Sequence, residues 1–115
     1  MIDEIDIKNI KLKPYDRYSK KIDGLFWKNI TFNEETGVGS FILKFDKNTK
    51  TISHIHFSNE TFFIIEGDIY DSYSNKTYYK NNIINMHPGS SHYSYSKNGC
   101  LLLVFSEGHI KRDSD

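Results

Sequence analysis

Apolar residues recur along this chain in short runs, and residues typical of turns separate one run from the next. Runs that fit β-strands lie at 25–32, 38–45, 51–57, 60–66, 69–73, 77–79, 83–86, 92–95 and 100–105. Turn-forming pairs such as Asp23-Gly24, Gly67-Asp68 and Pro88-Gly89 stand between them. No run has a helical period, and many short strands joined by turns are typical of a sandwich or barrel. The pattern predicts an all-β fold in a single domain.

The two ends of the chain are less regular than its middle. Residues 1–24 are rich in charge, and their apolar positions fit either a mobile arm or an edge strand through Ile5, Ile7, Ile10 and Leu12. We expect an N-terminal arm or edge strand at 1–24, a barrel at 25–110 and a C-terminal tail at 111–115.

Two of the predicted strands are apolar on both faces. Residues 62–65 read Phe-Phe-Ile-Ile, and residues 101–105 read Leu-Leu-Leu-Val-Phe. One apolar face suffices for an antiparallel strand that packs one side on a core and solvates the other. The second face therefore needs a cover, either from the N-terminal strand or from another subunit, and we expect a homodimer.

The charge, the apolar runs and the cysteine content of the chain limit the partners and the location that we expect for it. The 115 residues carry 15 basic and 15 acidic side chains, so the formal net charge is zero. Proteins that bind nucleic acids or membrane surfaces usually have a basic excess, so we expect neither partner. No run reaches the roughly 18 apolar residues of a membrane span, and the acidic N-terminus differs from a signal peptide. The single cysteine, Cys100, cannot form an internal disulfide, which favours a reducing cytoplasm.

The candidate chemistry is carried by three histidines and one glutamate. Residues i and i+2 of a strand point to the same face, so His54 and His56 can present two imidazoles to one point. Glu60 can add a carboxylate from the start of the next strand, and His92 follows a Pro-Gly turn and can complete the site from across the barrel. Such a donor set suits Zn, Fe(II), Ni, Mn or Co better than Ca or Mg.

These residues resemble the two sequence motifs of the cupin superfamily. The spacing of His54, His56, Glu60 and Gly67 matches the first motif, and the stretch from Pro88 to His92 resembles the second. The stretches 59–67 and 96–100 are most similar to the ChrR-like cupins, a subgroup with zinc-binding anti-sigma factors and acetylacetone-type dioxygenases. The second motif usually has glycine and proline where this chain has Asn81 and His87. Asparagine tolerates the left-handed backbone of such a turn.

The resemblance implies a double-stranded β-helix, also called a jelly-roll barrel, with one divalent transition metal per chain. The metal would be Zn, Fe, Ni or Mn, and the implied ligands are His54, His56, Glu60 and His92. One function that follows is a dioxygenase-type enzyme that acts on a small oxygenated metabolite, in which Glu60 either stays bound to the metal or swings away and serves as the base. Isomerase or lyase chemistry is also open to such a site. The alternative is a zinc-binding sensor or ligand-binding module without catalysis, and a shared fold does not decide between them.

Several other residues are weaker candidates for a pocket. His87 could donate to the site but is more simply a loop residue, and Cys100 is more simply a small buried hydrophobe. Glu66 and Ser94 are polar residues that would matter if they point inward. The best candidates for an apolar lining, which a barrel core would explain equally well, are Phe41, Leu43, Phe62 and Ile64.

Overall fold

The computed structural model describes residues 1–17 and 20–112, and within them the chain is built of short strands. A 3₁₀ turn at Ile7–Asn9 comes first. The strands are β1 (Lys13–Pro14), β2 (Leu25–Phe32), β3 (Val38–Phe45), β4 (Thr49–Lys50), β5 (His54–His56), β6 (Glu60–Asp71), β7 (Lys76–Tyr79), β8 (Ile83–Met86), β9 (Ser91–His92), β10 (Ser94–Ser96), β11 (Cys100–Glu107) and β12 (Ile110–Arg112). The predicted all-β fold is confirmed.

The strands form two curled antiparallel sheets. In the larger sheet the order is β1-β2-β3-β11-β6-β10-β4, and β7 and β8 also pair with β6. The smaller sheet has the order β12-β5-β9. The predicted strand 92–95 is wrong as one unit, because β9 pairs with β5 in the smaller sheet whereas β10 pairs with β4 and β6 in the larger one. The smaller sheet thus carries the three histidines singled out in the sequence.

Strand β6 is longer than the sequence predicts, and this length shapes the site. The expected turn at Gly67-Asp68 is wrong, since one strand of 12 residues runs through both positions. Gly67 has a φ of +87°, and a Cβ atom there would lie 2.0 Å from the carbonyl oxygen of Gly99. Glycine therefore lets β6 pass close to the backbone of Gly99 and Cys100, and beyond this point β6 pairs with β7 and β10. The strand begins at Glu60 and ends at Asp71, and both ends reach the histidines.

The core lies between the inner faces of β2, β3, β6 and β11. Trp27 is 2 % exposed and makes edge-to-face contacts with Phe41 at 5.4 Å and with Tyr15 at 4.9 Å between ring centroids. The Trp27 indole also donates a hydrogen bond to Asp16 at 3.0 Å. Alternation along each strand places the remaining core residues on this face, among them Leu25, Phe45, Ile64, Leu102 and Val104.

The N-terminal segment packs against the barrel but contributes little sheet. Pairing with β2 is confined to Lys13–Pro14, and residues 5–12 lie outside any strand. Beyond β1, the side chains of Tyr15 and Arg17 are buried in the barrel. At the other end β12 pairs with β5, while residues 113–115 of the expected tail lie outside the described residues. The boundaries 1–24, 25–110 and 111–115 stay predictions. No described helix is long and apolar enough to cross a membrane.

Candidate metal centre

The smaller sheet brings His54, His56 and His92 together. His54 and His56 lie at alternate positions of β5, and His54 is directly opposite His92 on β9. All three side chains are buried, with exposed fractions of 8 %, 1 % and 3 %. One ring nitrogen from each lies within 4.8 Å of the others, the arrangement expected of side chains that could hold a metal ion.

The rings of His54 and His92 are oriented by hydrogen bonds at Nδ1, the ring nitrogen that faces away from the cluster. Nδ1 of His54 donates to the carbonyl oxygen of Ile52 at 2.7 Å, and Nδ1 of His92 donates to Oδ1 of Asp71 at 2.5 Å. With Nδ1 protonated, Nε2 of each ring keeps its lone pair. Metal-binding histidines commonly have a carbonyl or a carboxylate behind them in this way, which fixes the tautomer and raises the basicity of the ligand nitrogen.

The spacing and protonation of the imidazoles also fit a metal ion. Nε2 of His56 lies 2.9 Å from Nε2 of His92. Two nitrogens bound at ~2.1 Å to one ion and at a right angle would be ~3 Å apart. Burial, together with the smaller effect of the neighbouring charges of His54 and His92, lowers the pKa of His56 to about 3. Burial also lowers the pKa of His92, against the opposing effect of Asp71. Both rings are therefore neutral at pH 7, which is the form that binds metals.

Glu60 lies beside this cluster but outside the set of converging atoms. Its Oε2 is 3.6 Å from Nδ1 of His56 and 3.8 Å from Nη1 of Arg17, and all three side chains are buried. Among residues 1–17 and 20–112, neither Oε2 of Glu60 nor Nδ1 of His56 has a hydrogen-bond partner. Burial raises the pKa of Glu60 to about 7, against the opposing charge of Arg17 and a hydrogen bond from Ser106. The fourth ligand that the sequence motif implies therefore stays a prediction.

A cavity inside the barrel opens next to these groups. The cavity is small, with a volume of about 40 Å³, which is room for a few water molecules or a small ligand. Phe41, Leu43 and Phe62 line it as the sequence predicts, whereas Ile64 is packed in the core. Polar atoms enter the wall mainly from His54, Glu60, Thr51 and Ser94. The cavity is thus apolar over most of its wall, with one imidazole and one carboxylate at the side of the histidine cluster.

The sequence of the chain matches the family model of the ChrR cupin-like domain over residues 10–110. The chain belongs to the ChrR cupin-like family. The two curled sheets are accordingly the jelly-roll barrel, or double-stranded β-helix, of the cupins. A comparison with the curated proteins gives no significant match.

Solved structures of other cupins share the fold of this ChrR cupin-like domain. An acetylacetone dioxygenase from Acinetobacter johnsonii is 17 % identical, with a TM-score of 0.80 over 97 % of this chain and 76 % of that one. An RmlC-like cupin from Ralstonia eutropha is 13 % identical, with a TM-score of 0.79 over 98 % and 74 % of the two chains. The polyketide cyclase RemF from Streptomyces resistomycificus is 12 % identical, with a TM-score of 0.72 over 98 % and 86 %. At these identities the likeness shows the fold alone.

The remaining sequence candidates lie away from the cluster. His87 is an exposed loop residue whose carbonyl accepts a hydrogen bond from Ser90. Glu66 points outward and forms an ion pair with Lys80 at 3.0 Å. Cys100 is a buried free thiol whose pKa is raised to about 12, mainly by burial, so it has the inert character that the sequence favours.

Sequence reasoning missed two residues of the centre. Asp71 supports His92, and its side chain is held in turn by the backbone N–H of Ser74, which donates to Oδ2 at 2.7 Å. Burial alone would raise the pKa of Asp71, but the hydrogen bonds from Ser74 and His92 lower it. Arg17 reaches Glu60 from the N-terminal segment. Asp71 could have been found as a buried acid at an inward position of β6, but only if the strand were known to continue that far. Nothing in the sequence around Arg17 indicates its position in the site.

Proposed function

We propose that this ChrR cupin-like protein binds one divalent transition-metal ion through His54, His56 and His92. The observation that carries the proposal is the convergence of three buried nitrogens, with the rings of His54 and His92 held from behind by a carbonyl and a carboxylate. Imidazole suits Zn, Fe, Ni and Mn more than Ca or Mg. Three buried rings facing one point also lack the solvation that an ordinary surface histidine has.

The function we propose is a metal-dependent, dioxygenase-type reaction on a small oxygenated metabolite. When bound, the ion supplies Lewis-acid polarisation of a substrate oxygen. The apolar cavity would bind the carbon skeleton and exclude water, since its wall is mostly aliphatic and aromatic. Glu60 lines the cavity and has a pKa near 7, so its carboxylate can take a proton from a substrate carbon or hydroxyl. The similarity to an acetylacetone dioxygenase supports this class of reaction.

Metal content is the first test. Untagged protein purified anaerobically should carry about one ion per chain when measured by elemental mass spectrometry. We expect His56→Ala to lose most of the metal, because His56 is central to the cluster. His87→Ala is the matched control, since His87 is exposed and lies five residues before His92. A wild-type protein that takes up no metal, or a His56→Ala variant that keeps its full complement, would refute the proposal.

The identity of the bound ion then distinguishes the proposed enzyme from the alternative, a zinc-binding sensor. Iron, nickel or manganese, together with O₂ uptake on a panel of small diketones and hydroxyketones, would support the enzyme. Zinc without O₂ uptake would support a zinc-binding sensor or ligand-binding module instead. The sensor would need a partner to transmit the signal, so zinc-dependent capture of a defined partner would be its next test.

We also propose that the protein is a homodimer that pairs through the outer face of the larger sheet. The strand register places one apolar row across β3, β11, β6 and β8 on that face, formed by Ile42, Leu103, Phe63 and Ile83. Val38, Phe105 and Ile83 are 49 %, 50 % and 67 % exposed there, which is unusual for a solvated sheet. Sedimentation velocity should give two chains for the wild type and for Phe57→Lys, whose exposed ring lies after β5. Phe105→Lys should give one chain, and an unchanged dimer in this variant would exclude this face.

A further inference from the structure

We propose that Arg17 is a positioning residue of the metal centre, which holds the Glu60 carboxylate beside His56 and outside the coordination shell of the ion. The inference rests on the proposed metal binding and concerns a residue of the N-terminal segment, far in sequence from both histidine motifs. It gives that segment a role in the site, although β1 forms only two residues of sheet.

Arg17 is built into the barrel and is fixed on several sides. Its side chain is 3 % exposed, and its guanidinium carbon lies 5.1 Å from the ring centroid of Phe32 and 5.8 Å from that of Phe41. Nη2 donates to the carbonyl oxygen of Gly108 at 3.2 Å. Planar guanidinium groups suit such stacked, hydrogen-bonded positions because they are weakly hydrated. Arg17 is thus anchored independently of Glu60 and can act as a fixed partner for it.

Glu60 is placed between this fixed cation and the histidine cluster. Nη1 of Arg17 is 3.8 Å from Oε2 of Glu60, and the same oxygen is 3.6 Å from Nδ1 of His56. Glu60 also faces Ser106 across the β6–β11 ladder. A carboxylate that left this position for an ion would be separated from the buried charge of Arg17, and separating a buried ion pair is costly. After a shift of a few tenths of an ångström, Glu60 would accept a hydrogen bond from Nδ1–H of His56 when Nε2 of that ring binds metal.

The consequence is a coordination shell of three neutral imidazoles, with the carboxylate free to act on a ligand in the cavity. Such a shell keeps the full charge of the ion and leaves more positions for small ligands than a shell that includes Glu60. Arg17 would therefore decide whether Glu60 is a ligand or an acceptor at the cavity wall, although Arg17 itself contacts neither metal nor substrate.

Cobalt substitution tests this directly, because the visible bands of Co²⁺ respond to the number and type of its ligands. Wild-type protein is loaded with Co²⁺ and compared with Arg17→Met, Glu60→Gln and the double variant. We expect Arg17→Met to change the spectrum as Glu60 becomes a ligand. Adding Glu60→Gln should restore a spectrum close to that of the wild type. An Arg17→Met spectrum identical to that of the wild type would overturn the inference.

Glu60→Gln alone keeps the inference testable if Arg17→Met fails to fold. If Arg17 withholds Glu60 from the ion, this variant should keep the wild-type Co²⁺ spectrum and bind Co²⁺ within about threefold of the wild-type affinity. A changed spectrum together with a loss of tenfold or more would show that Glu60 is a ligand, and the inference would be wrong. That result would leave metal binding itself intact, whereas failure of the wild type to bind Co²⁺ would refute both proposals.

Discussion

Asp71, the last residue of β6, accepts a hydrogen bond from Nδ1 of His92, the last residue of β9, at 2.5 Å. Both side chains are buried, with exposed fractions of 5 % and 3 %. The contact joins the larger sheet, which carries Asp71, to the smaller sheet, which carries the histidines. It therefore ties the orientation of a candidate ligand to the packing of the two sheets against each other.

Replacing Asp71 by Asn should weaken metal binding while leaving the cluster assembled. The amide keeps the size of the carboxylate but loses its charge, so His92 is less basic and less firmly held in one tautomer. Changes of this kind typically cost 10–100-fold in metal affinity. Competition with a chromophoric chelator would measure the loss. Asp46→Asn, which changes an exposed acid in the turn after β3, should leave the affinity unchanged, and an equal loss in both variants would contradict the interpretation.

The two glycines of the cupin motifs should respond differently to alanine. Gly67 and Gly89 have almost the same φ, +87° and +88°, but a Cβ atom at Gly67 would meet backbone whereas at Gly89 nothing lies within 4 Å. Left-handed backbone costs a non-glycine residue about 1–2 kcal/mol. We expect Gly89→Ala to lose about that much in the free energy of unfolding and Gly67→Ala to lose clearly more, because the β6–β11 ladder must also shift. Equal losses in urea denaturation would show that the close approach at Gly67 is unimportant.

The sequence predicts the meeting of the three histidines well because strand geometry is local. His54 and His56 share a face through the period of two, and the pairing of β5 with β9 then brings His92 to them. Asn81, which stands where the motif usually has glycine, indeed adopts a φ of +73°. In contrast, Arg17 reaches Glu60 only through the tertiary path of the N-terminal segment. Gly67 looks like a turn residue in sequence, since glycine permits both a turn and a close approach of two strands, and the partner strands decide between them.

The pH dependence of stability in the metal-free protein should report the burial of Glu60. Its pKa is raised from 4.5 to about 7, so folding favours the protonated acid. This contribution is fully present below pH 4.5 and is lost as the pH rises through 7. Glu60→Gln mimics the neutral acid, so the wild type should lose up to about 3 kcal/mol relative to the variant between pH 4.5 and 8.

His56 changes stability in the opposite direction, and the variant pair separates the two effects. The pKa of His56 is lowered from 6.5 to about 3, so its contribution is present above pH 6.5 and is lost as the pH falls toward 3. His56 is common to the wild type and Glu60→Gln, so its effect largely cancels in their difference. Urea denaturation at several pH values, in the presence of a chelator, gives that difference. A difference independent of pH would mean that Glu60 titrates near its ordinary pKa.

Cys100 should be protected from thiol reagents as long as the barrel is folded. Its side chain is 6 % exposed, and burial raises its pKa from 9.0 to about 12. Because only the thiolate reacts, a shift of this size lowers the reactive fraction about a thousandfold at pH 8. Labelling with a chromogenic disulfide should therefore be slow in buffer and fast in urea, and the signal is unambiguous because the chain has one cysteine. Rapid labelling of the folded protein would instead indicate that the start of β11 opens readily, and Cys100 would then become a candidate redox site.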